Sequence, residues 1–179
     1  MKGFCRVFKV NRRMIMLGLL LLLTGCGYRP VGSAEAPTGA EPPTLAIPLF
    51  ANRSTEVGLE SLLANTFIQT FGTCKALRLT PRPEGADLVL EGKVDSVANS
   101  SVAYFNISRS LVRRVTVRVE LQLVQRRTGK VIWRDVGTIQ EDYVVNQTYQ
   151  QGEAFKEQGM RRGAATLARK MLDKILLVI

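Results

Sequence analysis

Alternation with a period of two marks the clearest element in the chain. Val115, Val117, Val119, Leu121 and Leu123 fall on one side, and Arg114, Thr116, Arg118, Glu120 and Gln122 on the other. That pattern predicts a strand with one buried and one wet face. Three further stretches alternate or cluster β-formers, Ala86 to Val97, Val102 to Ile107 and Val131 to Val145, and Arg127-Thr128-Gly129-Lys130 supplies a hairpin turn before the last of them. Upstream, Leu45-Ala46-Ile47-Pro48-Leu49-Phe50 reads as a strand whose proline, lacking a ladder donor, implies an edge or a bulge. Asn52 to Glu56 are turn and capping residues. After them Leu59, Leu62, Leu63, Thr66, Phe67 and Phe71 recur at helical steps, followed by a brief extended piece, Ala76 to Thr80. From about Gln151 the period is again helical, with a stripe of Phe155, Met160, Ala164, Leu167, Ala168, Met171, Leu172, Ile175 and Leu176. The expected fold is therefore α+β: a two-layer sandwich in which a four- to five-stranded, mostly antiparallel sheet carries two amphipathic helices on one face.

The chain before residue 44 has a different character. Five cations, Lys2, Arg6, Lys9, Arg12 and Arg13, precede an uncharged run from Met14 to Leu23. Ten helical residues span only about 15 Å, half of a bilayer's hydrocarbon core, so the run reads as an export signal and not as a permanent span. It ends in Leu23-Thr24-Gly25-Cys26, which resembles the lipobox of bacterial lipoproteins. That resemblance implies cleavage before Cys26 and acyl chains on its thiol and new N-terminus, enough for stable anchoring where one chain gives only reversible binding. Gly27 after the cysteine, in the sorting rule of enteric lipoproteins, points to the outer membrane. Residues 1–25 are then a cleaved signal, 26–43 an acylated cysteine with a Gly/Pro/Ala-rich linker, and 44–179 the folded domain.

The 179 residues carry 25 Lys and Arg against 15 Asp and Glu, with no histidine and three cysteines. Removing the leader lowers the net charge from +10 to +5, and export argues against a nucleic-acid partner. Without histidine the commonest general base is missing, and the pairs Glu56 with Glu60 and Glu141 with Asp142 have no accompanying motif. A non-catalytic role without metal or other cofactor is expected, the acyl chains on Cys26 being its only non-protein group. Cys5 lies in the leader and Cys26 in the lipobox, so Cys74 has no internal disulfide partner; it reads as a small buried apolar residue or as a reactive thiol.

Taken in order, four segments are more specific than any one alone: the lipobox running into Cys26-Gly27-Tyr28-Arg29-Pro30, the strand Leu45 to Phe50 leading into Asn52-Arg53-Ser54-Thr55 and a helix, Ala86 to Gly92, and Thr128 to Trp133. Together they resemble the lipopolysaccharide-assembly lipoprotein family, LptE, over nearly the whole mature chain. The resemblance implies an outer-membrane lipoprotein seated as a plug in the large β-barrel LptD. It would assist that barrel's folding and the delivery of lipopolysaccharide to the outer leaflet. The alternative is a pilot or accessory lipoprotein of another outer-membrane machine, such as a secretin.

Lipopolysaccharide carries phosphates and carboxylates, which arginine forks suit. Arg114 and Arg118 on the wet face of the third strand, and Arg126, Arg127 and Lys130 at the hairpin turn, are the candidate contacts with it or with the partner. A solvated basic face and an interface with the barrel are the competing readings of the same residues. Trp133, the single tryptophan, fits either the core or an interface anchor beside the turn, and Arg161-Arg162 and Arg169-Lys170 fit the wet face of the last helix.

Overall fold

The computed structural model describes residues 41–106, 109–145 and 148–179. The expected export signal, Cys26 and the linker as far as residue 40 lie outside the described residues. The domain runs β1 (Thr44–Ala46), β2 (Ala51–Asn52), α1 (Leu59–Phe71), β3 (Arg78–Leu79), a single 3-10 turn at Pro83–Gly85, β4 (Leu88–Asn106), β5 (Arg109–Gln125), β6 (Lys130–Val144) and α2 (Tyr149–Ile175).

The sheet order is β3-β1-β4-β5-β6, with β2 continuing beside β4. β4, β5 and β6 form an antiparallel meander, whereas β1 pairs with both β3 and β4 in parallel and β2 pairs in parallel with β4. At about 3.4 Å per residue the 17 residues of β5 extend roughly 58 Å, three times an ordinary strand. Two strands expected separately, Ala86 to Val97 and Val102 to Ile107, form the single strand β4, which follows β5 through bulges between Val94 and Ser96 and between Ser101 and Asn106. Pro48 falls between β1 and β2: the four residues between Ala46 and Ala51 lie against the three between Val89 and Lys93, a one-residue bulge. The first expected strand, Leu45 to Phe50, is thus cut short at Ala46, a separate two-residue strand begins at Ala51, and the sheet has six strands.

Register explains the core. Leu90, Gly92 and Val94 of β4 stand opposite Leu123, Leu121 and Val119 of β5, which in turn face Trp133, Asp135 and Gly137 of β6. Both helices bury their apolar residues on this face, with Leu63, Phe67 and Phe71 of α1 and Ala164, Leu167, Ala168, Met171 and Ile175 of α2 in one cluster with the strand residues. Phe67 meets Phe50 edge-on at 5.3 Å and stacks on Phe71 at 5.8 Å. The Phe50 ring lies so close to the sheet that a β-carbon on Gly92 would sit 2.4 Å from it, which is why the residue under that ring has no side chain.

The stripe expected on α2 faces the core, with Leu172 and Leu176 at its edge, except at its first member. Phe155 is 42% exposed, and Lys156 is 6% exposed in the row that packs inward. That row, Gly152, Lys156, Gly159, Gly163 and Leu167, is made mostly of glycine, so the helix settles close to β6. A β-carbon on Gly163 would lie 2.2 Å from Ile139, and one on Gly137 would lie 2.4 Å from Leu167.

Candidate interaction surface

The face of the sheet away from the helices is open. β5 contributes Arg114, Thr116, Arg118, Glu120 and Gln122 to it, as alternation predicts, and register sets Asp142, Gln140, Thr138, Val136 and Arg134 of β6 opposite them. Arg114 donates through Nε and Nη2 to the two carboxylate oxygens of Asp142 at 2.6 and 2.9 Å, the parallel fork that arginine forms best. The hydrogen bonds and charge of Arg114 hold the Asp142 carboxyl below its ordinary range, and Asp142 in turn raises the guanidinium. Arg118 reaches Asp95 at 3.8 Å and Lys93 reaches Glu120 at 2.6 Å. The Glu120 carboxyl is likewise held low, first by its hydrogen bond from Lys93. Gln122 donates to Glu91 and accepts from Arg134. The stripe of Arg114 and Arg118 is thus a paired lattice of both signs and not a free cationic surface.

Arg126, Arg127 and Lys130 sit at the end of the same sheet. The turn forms as its residues predict: Gly129 takes a positive φ of 66°, and the amides of Thr128 and Gly129 donate to the Gln125 carbonyl. All three cations are exposed, and among the described residues no carboxylate lies within ion-pair distance of them. The nearby Asp87 is engaged otherwise. One of its carboxylate oxygens accepts from the Thr44 amide at 2.9 Å and the Thr44 hydroxyl at 2.6 Å, while its own amide donates to that hydroxyl. Those bonds, the hydroxyl's first, hold the Asp87 carboxyl low.

The two acid pairs separate in space and in role. Glu141 faces α2 and lies 3.5 Å from Arg162, while Asp142 points to the open face. Glu56 accepts from Lys156 at 2.6 Å, and Glu60 accepts from Asn52 and from the Gly58 amide at the start of α1. Burial alone would push the Lys156 ammonium down, but the bond it donates to Glu56 and the charges of Glu56 and Glu153 outweigh it, so its pKa is raised. Lys156 ties α2 to the segment before α1, a contact that nothing in the apolar periodicity signals. Glu56 and Glu153 also line an open groove of about 690 Å³ between the helices. Trp133 packs, partly buried, against the core beside Leu123, and Cys74 is half-buried after α1. Arg161, Arg162, Arg169 and Lys170 are exposed on α2.

A model of the lipopolysaccharide-assembly family LptE matches residues 43–175, essentially all of this fold. The chain belongs to the LptE family. Solved structures repeat the architecture at low identity. A Caulobacter crescentus protein described as a lipoprotein has a TM-score of 0.52 at 16% identity, over 72% of this chain and 90% of that one. The Chlamydia trachomatis protein CT253 has a TM-score of 0.53 at 10% identity, over 74% and 95%. Rare lipoprotein B from Shewanella oneidensis has 0.49 at 14% identity, over 74% and 93%. No curated protein matches the sequence. As an LptE protein the chain is a lipopolysaccharide-assembly lipoprotein of the outer membrane, and among the described residues no helix is long and apolar enough to cross a membrane.

Proposed function

We propose that this LptE protein is anchored in the outer membrane by acyl chains on Cys26 and works with an LptD-type β-barrel. In that role it occupies the barrel lumen as a plug, assists the barrel's assembly and takes part, without catalysis, in moving lipopolysaccharide to the outer leaflet. The observation that carries the proposal is the family match over residues 43–175. The open sheet face supports a lumenal seat. Barrel interiors are polar, and on this face Lys93, Arg114 and Arg118 each have a carboxylate partner while Arg134 donates to Gln122, so most of its charge would meet such a wall already paired. Arg114 and Arg118 would meet the partner as neutral pairs, leaving Arg126, Arg127 and Lys130 as the candidate cations free to engage an anion.

Affinity purification of the tagged chain from detergent-solubilised outer membrane tests the partnership. A large β-barrel of the lipopolysaccharide translocon recovered in near-equal amount is the expected result. A secretin in its place would overturn the proposal in favour of a pilot.

A further inference from the structure

We infer that the sheet end bearing the 126–129 turn is a docking surface for the anionic phospholipid bilayer to which the chain is tethered. The inference rests on the reading of Cys26 as the acylated residue, and three observations on the folded domain converge on it.

The first is charge. Elsewhere most cations of the sheet and of α2 are matched, as in Arg114 with Asp142, Lys93 with Glu120 and Arg161 with Glu157; among the described residues the others without a carboxylate partner, Arg113, Arg134, Arg169 and Lys170, are spread over β5, β6 and α2 and do not cluster at a turn. Arg126, Arg127 and Lys130 are exposed and unmatched among the described residues, and Asp87 beside them is held by Thr44.

The second is apolar exposure at the same end. α2 descends along β6 until Lys174 pairs with Asp135 and Ile175 enters the core. The next turn lies beyond, where Leu177, Val178 and Ile179 are 80%, 48% and 45% exposed, and Val131 at the start of β6 is 40% exposed. Exposed apolar side chains at the same end of a sheet as unmatched cations are the composition that binds an anionic lipid surface.

The third is where the chain enters. Thr44 pairs with Arg78, Leu45 with Leu88 and Leu88 with Gln125, so β1 begins at the turn end of the sheet, and the Arg126 amide donates to the Asp87 carbonyl there. Fourteen residues lie between Cys26 and Glu41, a reach of at most about 54 Å. A tether joined to this end presents the three cations to the bilayer at high effective concentration. Each cation brought to an anionic surface strengthens binding about fivefold, and three together about a hundredfold.

The test uses the acylated, processed protein in vesicles, with an environment-sensitive fluorophore on Thr128→Cys in a Cys74→Ser background, and on Thr138→Cys as a control on the open face. Flotation with the vesicles reports the anchor, and the emission shift reports docking. In vesicles containing 30% phosphatidylglycerol the probe at 128 is expected to shift to the blue, and the probe at 138 to stay unchanged. The shift should vanish in pure phosphatidylcholine, in 0.5 M salt, and when Arg126, Arg127 and Lys130 are all replaced by Glu. Protein that floats but shows no shift, an equal shift in neutral vesicles, or a shift that appears only when lipopolysaccharide is added would overturn the inference. Loss of flotation would remove the anchor itself, and with it the bilayer this surface is argued to face.

Discussion

Two glycines on one helix predict opposite responses to the same substitution. Ala is favoured over Gly inside a helix by about 1 kcal/mol, and at Gly152 an added β-carbon meets nothing within 4 Å. Gly152→Ala is therefore expected to stabilise the domain by about 0.5–1 kcal/mol. At Gly163 the same methyl group would sit 2.2 Å from Ile139 Cγ2 and 3.1 Å from Glu141 Cγ, against a carbon contact optimum of about 3.5–4.0 Å. α2 must lift from β6 or Ile139 must leave its rotamer, and overpacking of that kind costs about 1–3 kcal/mol. Set against the helix-propensity gain, Gly163→Ala should lower stability by up to about 2 kcal/mol, as much as about 8 °C in melting temperature for a domain of this size. Thermal and urea unfolding followed by circular dichroism measure both variants. Truncating Ile139 to Ala should make Gly163→Ala less costly, a coupling that a double-mutant cycle reads directly. If Gly163→Ala stabilised the protein as much as Gly152→Ala, the close helix–sheet seam would be refuted.

The remaining predictions concern charge and anchoring. Lys156→Met removes the partner of Glu56 and should cost about 1–3 kcal/mol; adding Glu56→Gln should recover part of the loss in urea unfolding. The lowered carboxyls of Glu60, Glu120, Asp87, Asp135 and Asp142 start from ordinary values of 4.5 and 3.8. Their stabilisation is complete above about pH 4.5 and fades as pH falls through the lower folded values. Lys156, raised from 10.5, acts with the opposite sign: its contribution is present below about pH 10.5 and is lost as pH climbs through the folded value. Denaturant midpoints that stay flat from pH 5 to pH 2.5 would contradict the acid half. Cys26→Ala should leave the protein unprocessed or out of the outer-membrane fraction, and its recovery there after sucrose-gradient separation would argue against the anchor.

Much of this architecture is legible because its signals are local. The alternation from Arg114 to Leu123 fixes both faces of β5, Gly129 marks the turn, and Pro48 marks the break between β1 and β2. The unity of β4 is not legible. Its middle, Asn99-Ser100-Ser101, has little strand preference of its own and is held by Val115, Arg114 and Arg113 across the ladder, so partner strand outweighs propensity. The inward row at the start of α2 is also hidden, since a count of apolar residues selects Phe155, whereas close approach selects Gly159 and Gly163 and burial admits Lys156. For the candidate site, sequence picks out the five cations but cannot tell which are free. Asp142 is 28 residues from Arg114, and only the β5–β6 register brings them together.

A role in lipopolysaccharide assembly at the outer membrane is tested most directly by following lipopolysaccharide itself. The chain would be depleted in its native cell, and newly made lipopolysaccharide at the cell surface quantified with a membrane-impermeant label. Surface-labelled lipopolysaccharide is expected to fall while the total does not, with the difference retained behind the outer leaflet. Unchanged surface labelling after depletion of the protein would contradict that role.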